Sequence, residues 1–268
     1  MIFLYKLKRL IVAILPPVIF NLGQVFLYKF KGKDVRKIII EKSIIEIPSE
    51  NDATYGDFNR IYNIPVEKLF HYGGQPFNSV DQPFYNYLIH GKDSLKKYYE
   101  NNQPNNCFDA HKVNINNSNS VTGNNKFTLP WHNELDYIGE FGLGHNHGHS
   151  AFGPVSQQKL KLEIFRIKTC LKSLKKNGYI QWQLFPKIDS DLPRCYMLKK
   201  ISGECSFHVV SGKHRVACMA YLGWKNIPIK FDILLSRIVL EEECAKWPGV
   251  INGCYNEKQA IDIFNTYF

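Results

Sequence analysis

The stretch from Phe207 to Phe231 constrains this chain more than any other. Phe207 to Val210 is a β-branched and aromatic run that ends at Ser211-Gly212. Val216, Met219 and Ala220 then recur at helical spacing, and Gly223 stops the helix. Ile227, Ile229, Phe231 and Ile233 alternate as a half-buried strand does. The pattern predicts strand, glycine turn, short helix and second strand, with the helix beginning at Lys213-His214-Arg215. Backbone N–H groups and the positive end of the helix dipole favour an anion at such a start. Cationic side chains there oppose the dipole, so stability alone does not select them, and a bound phosphate would resolve the conflict. The plainer alternative is that His214 and Arg215 only cap neighbouring strands.

The turn is not a Walker-type phosphate loop. No glycine stands five residues before Gly212, and His214 occupies the place of the magnesium-holding Ser or Thr. Gly212, His214, Arg215, Ala217, Leu222-Gly223 and Ile227-Pro228-Ile229 instead resemble the signature turn of the ParB/sulfiredoxin-like superfamily. That family places a long helix ending in Asn-Gly before the turn. Here Ser156 is a candidate N-cap, Leu160, Ile164, Ile167, Leu171 and Leu174 keep one face, and Asn177-Gly178 closes it. Arg194 to Leu198 reads as a strand that returns through Ser202-Gly203, and Ile64 to Leu69 as a possible first strand. The resemblance covers about residues 152–233.

The resemblance implies an α/β fold that binds a nucleotide through Ser211, Gly212, Lys213, His214 and Arg215. Lys213 stands where sulfiredoxins carry their reactive cysteine, which argues against sulfinic acid repair. Too little chain follows Phe231 for the helix-turn-helix domain of the chromosome-partitioning members. The most similar members are kinases of small hydroxylated molecules, of the free serine type, and bacterial surface-polysaccharide proteins without an established activity. The implied function is nucleotide-dependent phosphoryl transfer to a small hydroxylated acceptor, with ATP or another nucleotide and Mg²⁺. A non-catalytic nucleotide-binding or scaffold module of a polysaccharide assembly system is the alternative. The family kinases use a carboxylate to take the acceptor proton; Glu140 is the first candidate, Glu163 the second, and His214 can donate or shuttle a proton.

The net charge of +10 invites a nucleic-acid reading. Its distribution argues against one, because residues 1–42 hold nine Lys or Arg against Asp34 and Glu41. The run from Leu10 to Tyr28 is uncharged, but Pro16-Pro17 interrupts it and Asn21 and Gln24 dilute it. No small-residue cleavage site follows. Residues 1–33 therefore read as an interfacial helical segment on an anionic membrane, or as a terminal helix packed on the domain. The seven cysteines show no C-x-x-C pair, which fits buried thiols of a reduced cytosol better than disulfides or zinc. The expected location is cytoplasmic, with attachment to the inner face of the membrane through that first segment.

His145, His147 and His149 share one face if their segment is extended, an arrangement suited to a transition metal. Gly142, Gly144 and Gly148 make it read rather as a flexible loop that lies over a phosphate or carries a catalytic histidine, or as an ordinary polar loop, with metal binding the least favoured reading. Asp136 and Glu140 just upstream are candidates for magnesium or for a general base. Asn101 to Asn125 is rich in Asn and Ser and reads as a surface loop. Trp247 to Gly253 reads as a turn. Asn256 and Gln259 form a capping box for a last helix with Ile261, Phe264 and Phe268 on its apolar face. Three parts are expected: a basic segment 1–45, an α/β domain 46–233 with an insertion at about 70–150, and a helical cap 234–268.

Overall fold

The computed structural model describes residues 43–44, 47–56, 60–114, 126–133, 143, 147–177, 192–232 and 235–268. The segment 1–33, Asp136, Glu140 and His145 lie outside them, and so does Ile233. The strands are β1 (Ser43–Ile44), β2 (Ile61–Pro65), β3 (Leu69–His71), β4 (Gln75–Pro76), β5 (Arg194–Lys199), β6 (Cys205–Ser211), β7 (Asn226–Phe231) and β8 (Ile238–Leu240). The helices are α1 (Glu50–Tyr55), α2 (Pro83–His90), α3 (Lys92–Asn101), α4 (Cys107–Ala110), α5 (Gln157–Asn177), α6 (Lys213–Tyr221), α7 (Pro248–Ile251) and α8 (Glu257–Asn265). 3₁₀ helices span Val66–Lys68 and Glu241–Lys246. The protein is mixed α/β.

The sheet runs in the order β1-β2-β7-β5-β6-β3-β4, and β8 adds to β5. Parallel and antiparallel pairs alternate across it: β2 with β7 and β5 with β6 are antiparallel, β5 with β7 and β3 with β6 are parallel. β7 pairs with β5 at Arg194 and Cys195, and β8 takes over the same edge at Met197, Leu198 and Lys199. The segment after residue 234 therefore contributes a strand to the main sheet.

Alternation along the strands divides the core into two layers. Leu69, Cys195, Met197, Phe207, Val209, Ile227, Ile229 and Phe231 pack with α5, α6, α2 and α3 through Leu160, Ile164, Val216, Met219, Phe84 and Leu95. Phe70, Tyr196, Leu198 and Val239 face the other way. They pack with Phe108, Trp131, Phe152, Trp247, Ile263, Phe264 and Tyr267. Both sheet faces are thus covered, one by α2, α3, α5 and α6 and the other by Phe108, Trp131 and Phe152 together with α7 and α8. Gly74 lies against the end of α8. It turns the β3–β4 hairpin at φ +67, and a Cβ there would strike the carbonyl oxygen of Thr266 just after α8.

Four local expectations change, the first being that Asn101 to Asn125, read as a surface loop, contains α4, which buries Cys107 and Phe108 in the second layer. β7 is buried from Ile227 to Phe231 without alternation, because it lies inside the sheet between β2 and β5. The run Ile64 to Leu69 is split by the 3₁₀ turn, so that its ends fall in β2 and β3. Trp247 to Gly253 contains the one-turn helix α7, with Pro248 at its first position. At α8 the Asn256–Gln259 capping box forms, with Gln259 N–H donating 2.9 Å to Asn256 Oδ1. Its buried face is Ala260, Ile263 and Phe264, and Ile261 and Phe268 are only partly covered.

Candidate functional site

β6 ends at Ser211 and α6 begins at Lys213, so Gly212 alone makes the corner. Its φ of +78 is left-handed, and a Cβ would lie 2.8 Å from Cα of Pro193. Arg215 and Val216 N–H both donate to the Gly212 carbonyl, at 2.8 and 3.1 Å. Gly212 brings no side-chain cap, and the first turn of α6 holds no acidic residue. The residues of the helix start itself thus supply no negative charge to its dipole. Ser211, Gly212, Lys213, His214 and Arg215 are all half-buried, within reach of solvent.

Glu163 reaches this corner from α5 and is fully buried. Its Oε2 is hydrogen-bonded to Nε2 of His214. Its Oε1 lies 3.0 Å from Nζ of Lys159, itself buried, and 3.5 Å from a guanidinium nitrogen of Arg166. The Phe84 ring of α2 backs the imidazole of His214 at 4.3 Å between centroids. Burying a carboxylate costs several kcal/mol unless cations and hydrogen bonds offset it. Three partners on one carboxylate supply that offset, and the carboxylate in turn fixes the orientation of the histidine.

More charge is buried at the same end of the sheet. Arg194 pairs across the strands with Ser211 and with Lys230, and all of Arg194, Lys230 and Asp232 are buried. Arg194 donates to the Phe231 carbonyl at 3.5 Å, and Asp232 Oδ1 accepts from Leu235 N–H at 3.2 Å. On the second face His208 stacks on Tyr196 with centroids 4.9 Å apart. Burial pushes its pKa well below the ordinary histidine range, and the positive charge of Lys213 adds to the push. Cations outnumber carboxylates around the corner, which suits an anion there.

Of the residues expected to carry chemistry, the structure brings Ser211, Gly212, Lys213, His214, Arg215 and Glu163 together. Glu140 lies outside the described residues. Glu163, the second candidate carboxylate, is buried between α5 and α6. His147 shares a hydrogen bond of 2.9 Å with Ser156 Oγ, which also accepts from Lys159 N–H at 3.1 Å and so caps α5. His149 stacks on Phe152 and accepts from Ala151 N–H at 3.1 Å. Both imidazoles are engaged locally. Among the described residues no group of three or more His, Cys, Asp or Glu is placed to hold a metal ion.

Lys159, Phe84 and Arg194 belong to the site and carry no sequence motif. The four-residue spacing of Lys159 and Glu163 is the one signal that could have found the ion pair. All seven cysteines are free thiols, and burial raises Cys107 to about 11. No helix of the described residues is long and apolar enough to cross a membrane. No protein-family model, no curated protein and no solved structure matches this chain.

Proposed function

We propose that this protein is a phosphotransferase of ParB/sulfiredoxin-like type that moves a phosphoryl group from a nucleotide to a small hydroxylated acceptor. The observation that carries the reading is the buried Glu163 held on His214 at the uncapped, acid-free start of α6. Backbone N–H groups of that start, with Lys213 and Arg215, form the donor set for phosphate oxygens: a point charge, a guanidinium fork and a helix dipole. The donor set fits a nucleotide. A bound nucleotide with Mg²⁺ would supply the transferable phosphoryl group, the metal being held chiefly by phosphate oxygens. The described carboxylates near the turn, Glu163 and Asp232, are already engaged by protein groups.

The proton is taken by His214 in this reading, not by a carboxylate. Glu163 is fully buried and cannot meet an acceptor, whereas the His214 side chain is 20% exposed. With Nε2–H donated to the carboxylate, the neutral ring carries its lone pair on Nδ1. From there it can accept the proton of an acceptor hydroxyl as that oxygen attacks. Glu163 fixes the tautomer and stabilises the imidazolium that forms. A sugar-derived acceptor rests on the resemblance alone.

A nucleotide-binding module without turnover is the second reading. It is favoured by Lys159, whose ammonium offsets the charge that Glu163 would lend to an imidazolium. Thermal-shift screening with ATP, ADP, CTP and GTP in the presence of magnesium, followed by transfer assays on each ligand that stabilises, separates the two. Stabilisation with transfer to a hydroxylated acceptor supports the enzyme. Stabilisation without transfer supports the module, and no stabilisation by any nucleotide overturns both.

A further inference from the structure

The helix that buries Glu163 shows a different face to solvent. Lys161, Phe165, Lys168, Lys172, Lys175 and Lys176 are all exposed on α5, and at about 100° per residue they fall within an arc of about 100°. The arc lies nearly opposite the buried line of Leu160, Glu163, Ile167 and Leu174. The five lysines are strung along about 22 Å of helix, and α5 has no acidic residue besides the buried Glu163. Among the described residues none of the five enters an ion pair. Lys168, Leu171, Lys172, Lys175 and Lys176 also line a shallow groove along the helix. Phe165, 42% exposed, is a large apolar side chain set in the lysine row.

Like charges at successive turns repel one another, so a helix gains nothing in isolation from this arrangement. An anionic partner turns the repulsion into attraction. We infer that the lysine face of α5 docks on an anionic lipid bilayer, with Phe165 and the groove at Leu171 entering the headgroup layer. Three features of the face decide for lipid over a nucleic acid. Its cations are all lysine, point charges that need no fixed geometry, while Arg166 is turned inward to Glu163. The exposed Phe165 beside the lysines is an apolar group that can enter the headgroup layer, whereas a phosphate backbone offers it no apolar surface. The remaining excess of charge sits in residues 1–42, around the uncharged run Leu10 to Tyr28, and has the same character.

The inference is independent of the reaction proposed above, and vesicle flotation of the full chain tests it without any activity measurement. Phosphatidylcholine vesicles with and without phosphatidylglycerol are compared for the wild-type protein, K168Q/K172Q/K175Q/K176Q and F165A. Residues 1–42 stay in every protein, so a difference between variants reads α5. The expected result is flotation with the anionic vesicles only, weakened by added salt. The four-lysine variant should lose roughly 600-fold in vesicle affinity and F165A several-fold, with melting curves unchanged because all five side chains are exposed. Should the four-lysine variant misfold, the single variants K168Q and K172Q take its place, each expected to lose roughly 5-fold. Wild-type affinity in the glutamine variants, equal binding to neutral vesicles, or no binding of the full chain to either overturns the inference. So does heparin binding that the glutamine variants lose while vesicle binding is absent.

Discussion

Glu163 and His214 stand 51 positions apart in the chain and share one hydrogen bond in the fold. The bond joins the long helix α5 to the first turn of α6, and Lys159 and Arg166 hold the other carboxylate oxygen. The pair therefore ties the long helix to the glycine corner.

Because Glu163 is fully buried, E163A should destabilise the protein by about 3–5 kcal/mol, leaving Lys159 buried without its carboxylate. Replacing both partners with apolar residues of similar size, K159M/E163L, should recover most of that loss. Denaturant titration of the three proteins checks it. An E163A variant as stable as wild type would mean that the carboxylate is not held as described.

At the corner itself, G212A should cost more than about 1 kcal/mol, since alanine is strained at φ +78 and its Cβ meets Pro193. Gly203 provides the comparison. It has φ +88 but open space around it, so G203A carries the backbone strain without the collision and should cost less. Equal losses in thermal melts would remove the packing part of the argument.

Much of this was legible in the sequence, and the division has a physical basis. Ser211-Gly212 before a helical run marked the corner, because only glycine takes that φ beside Pro193. Ser156 and Asn256 marked two helix starts, because capping is a local matter of a few residues. Glu163 was legible as a carboxylate on α5, but its partner was not, since nothing local ties position 163 to position 214. The second face of the sheet was also hidden. Trp131, Phe152 and Trp247 lie in irregular or one-turn segments, and what makes them a layer is the sheet face at Tyr196 and Leu198, far off in sequence.

Acid should loosen the second layer. His111 donates Nδ1–H to the Cys107 carbonyl at 2.7 Å, while its Nε2 pairs with the Tyr267 hydroxyl at 3.0 Å, so it is held neutral. Burial lowers its pKa from 6.5 to about 4. The unfolded chain therefore binds the proton first. Stability is whole above pH 6.5 and falls as pH drops toward 4, by up to about 3 kcal/mol from this group. His208, also pushed far down, acts in the same sense. Melting temperatures of wild type and H111Q across this window check the sign; a shallower acid loss in H111Q is expected.

Catalysis, if it runs through His214, should fail before binding does. H214A should lower kcat by about 10²–10⁴-fold with nucleotide affinity little changed, the scale of a lost general base. E163Q should lower kcat less, because the amide still holds the ring but the imidazolium that forms loses its counter-charge. Steady-state kinetics over pH, beside nucleotide titration, separates this from simple loss of binding. A variant that loses both in parallel would place His214 in the binding set alone.

The glycine corner as a phosphate site is the central claim, and one calorimetric comparison tests it most directly. Nucleoside triphosphates with magnesium are titrated into the wild-type protein and into folded R215A. The account predicts saturable binding of at least one nucleotide by wild type, weakened in R215A by about 1.5–3 kcal/mol, the worth of a charge-assisted hydrogen bond. No binding of any triphosphate, or equal affinity in the two proteins, would contradict it.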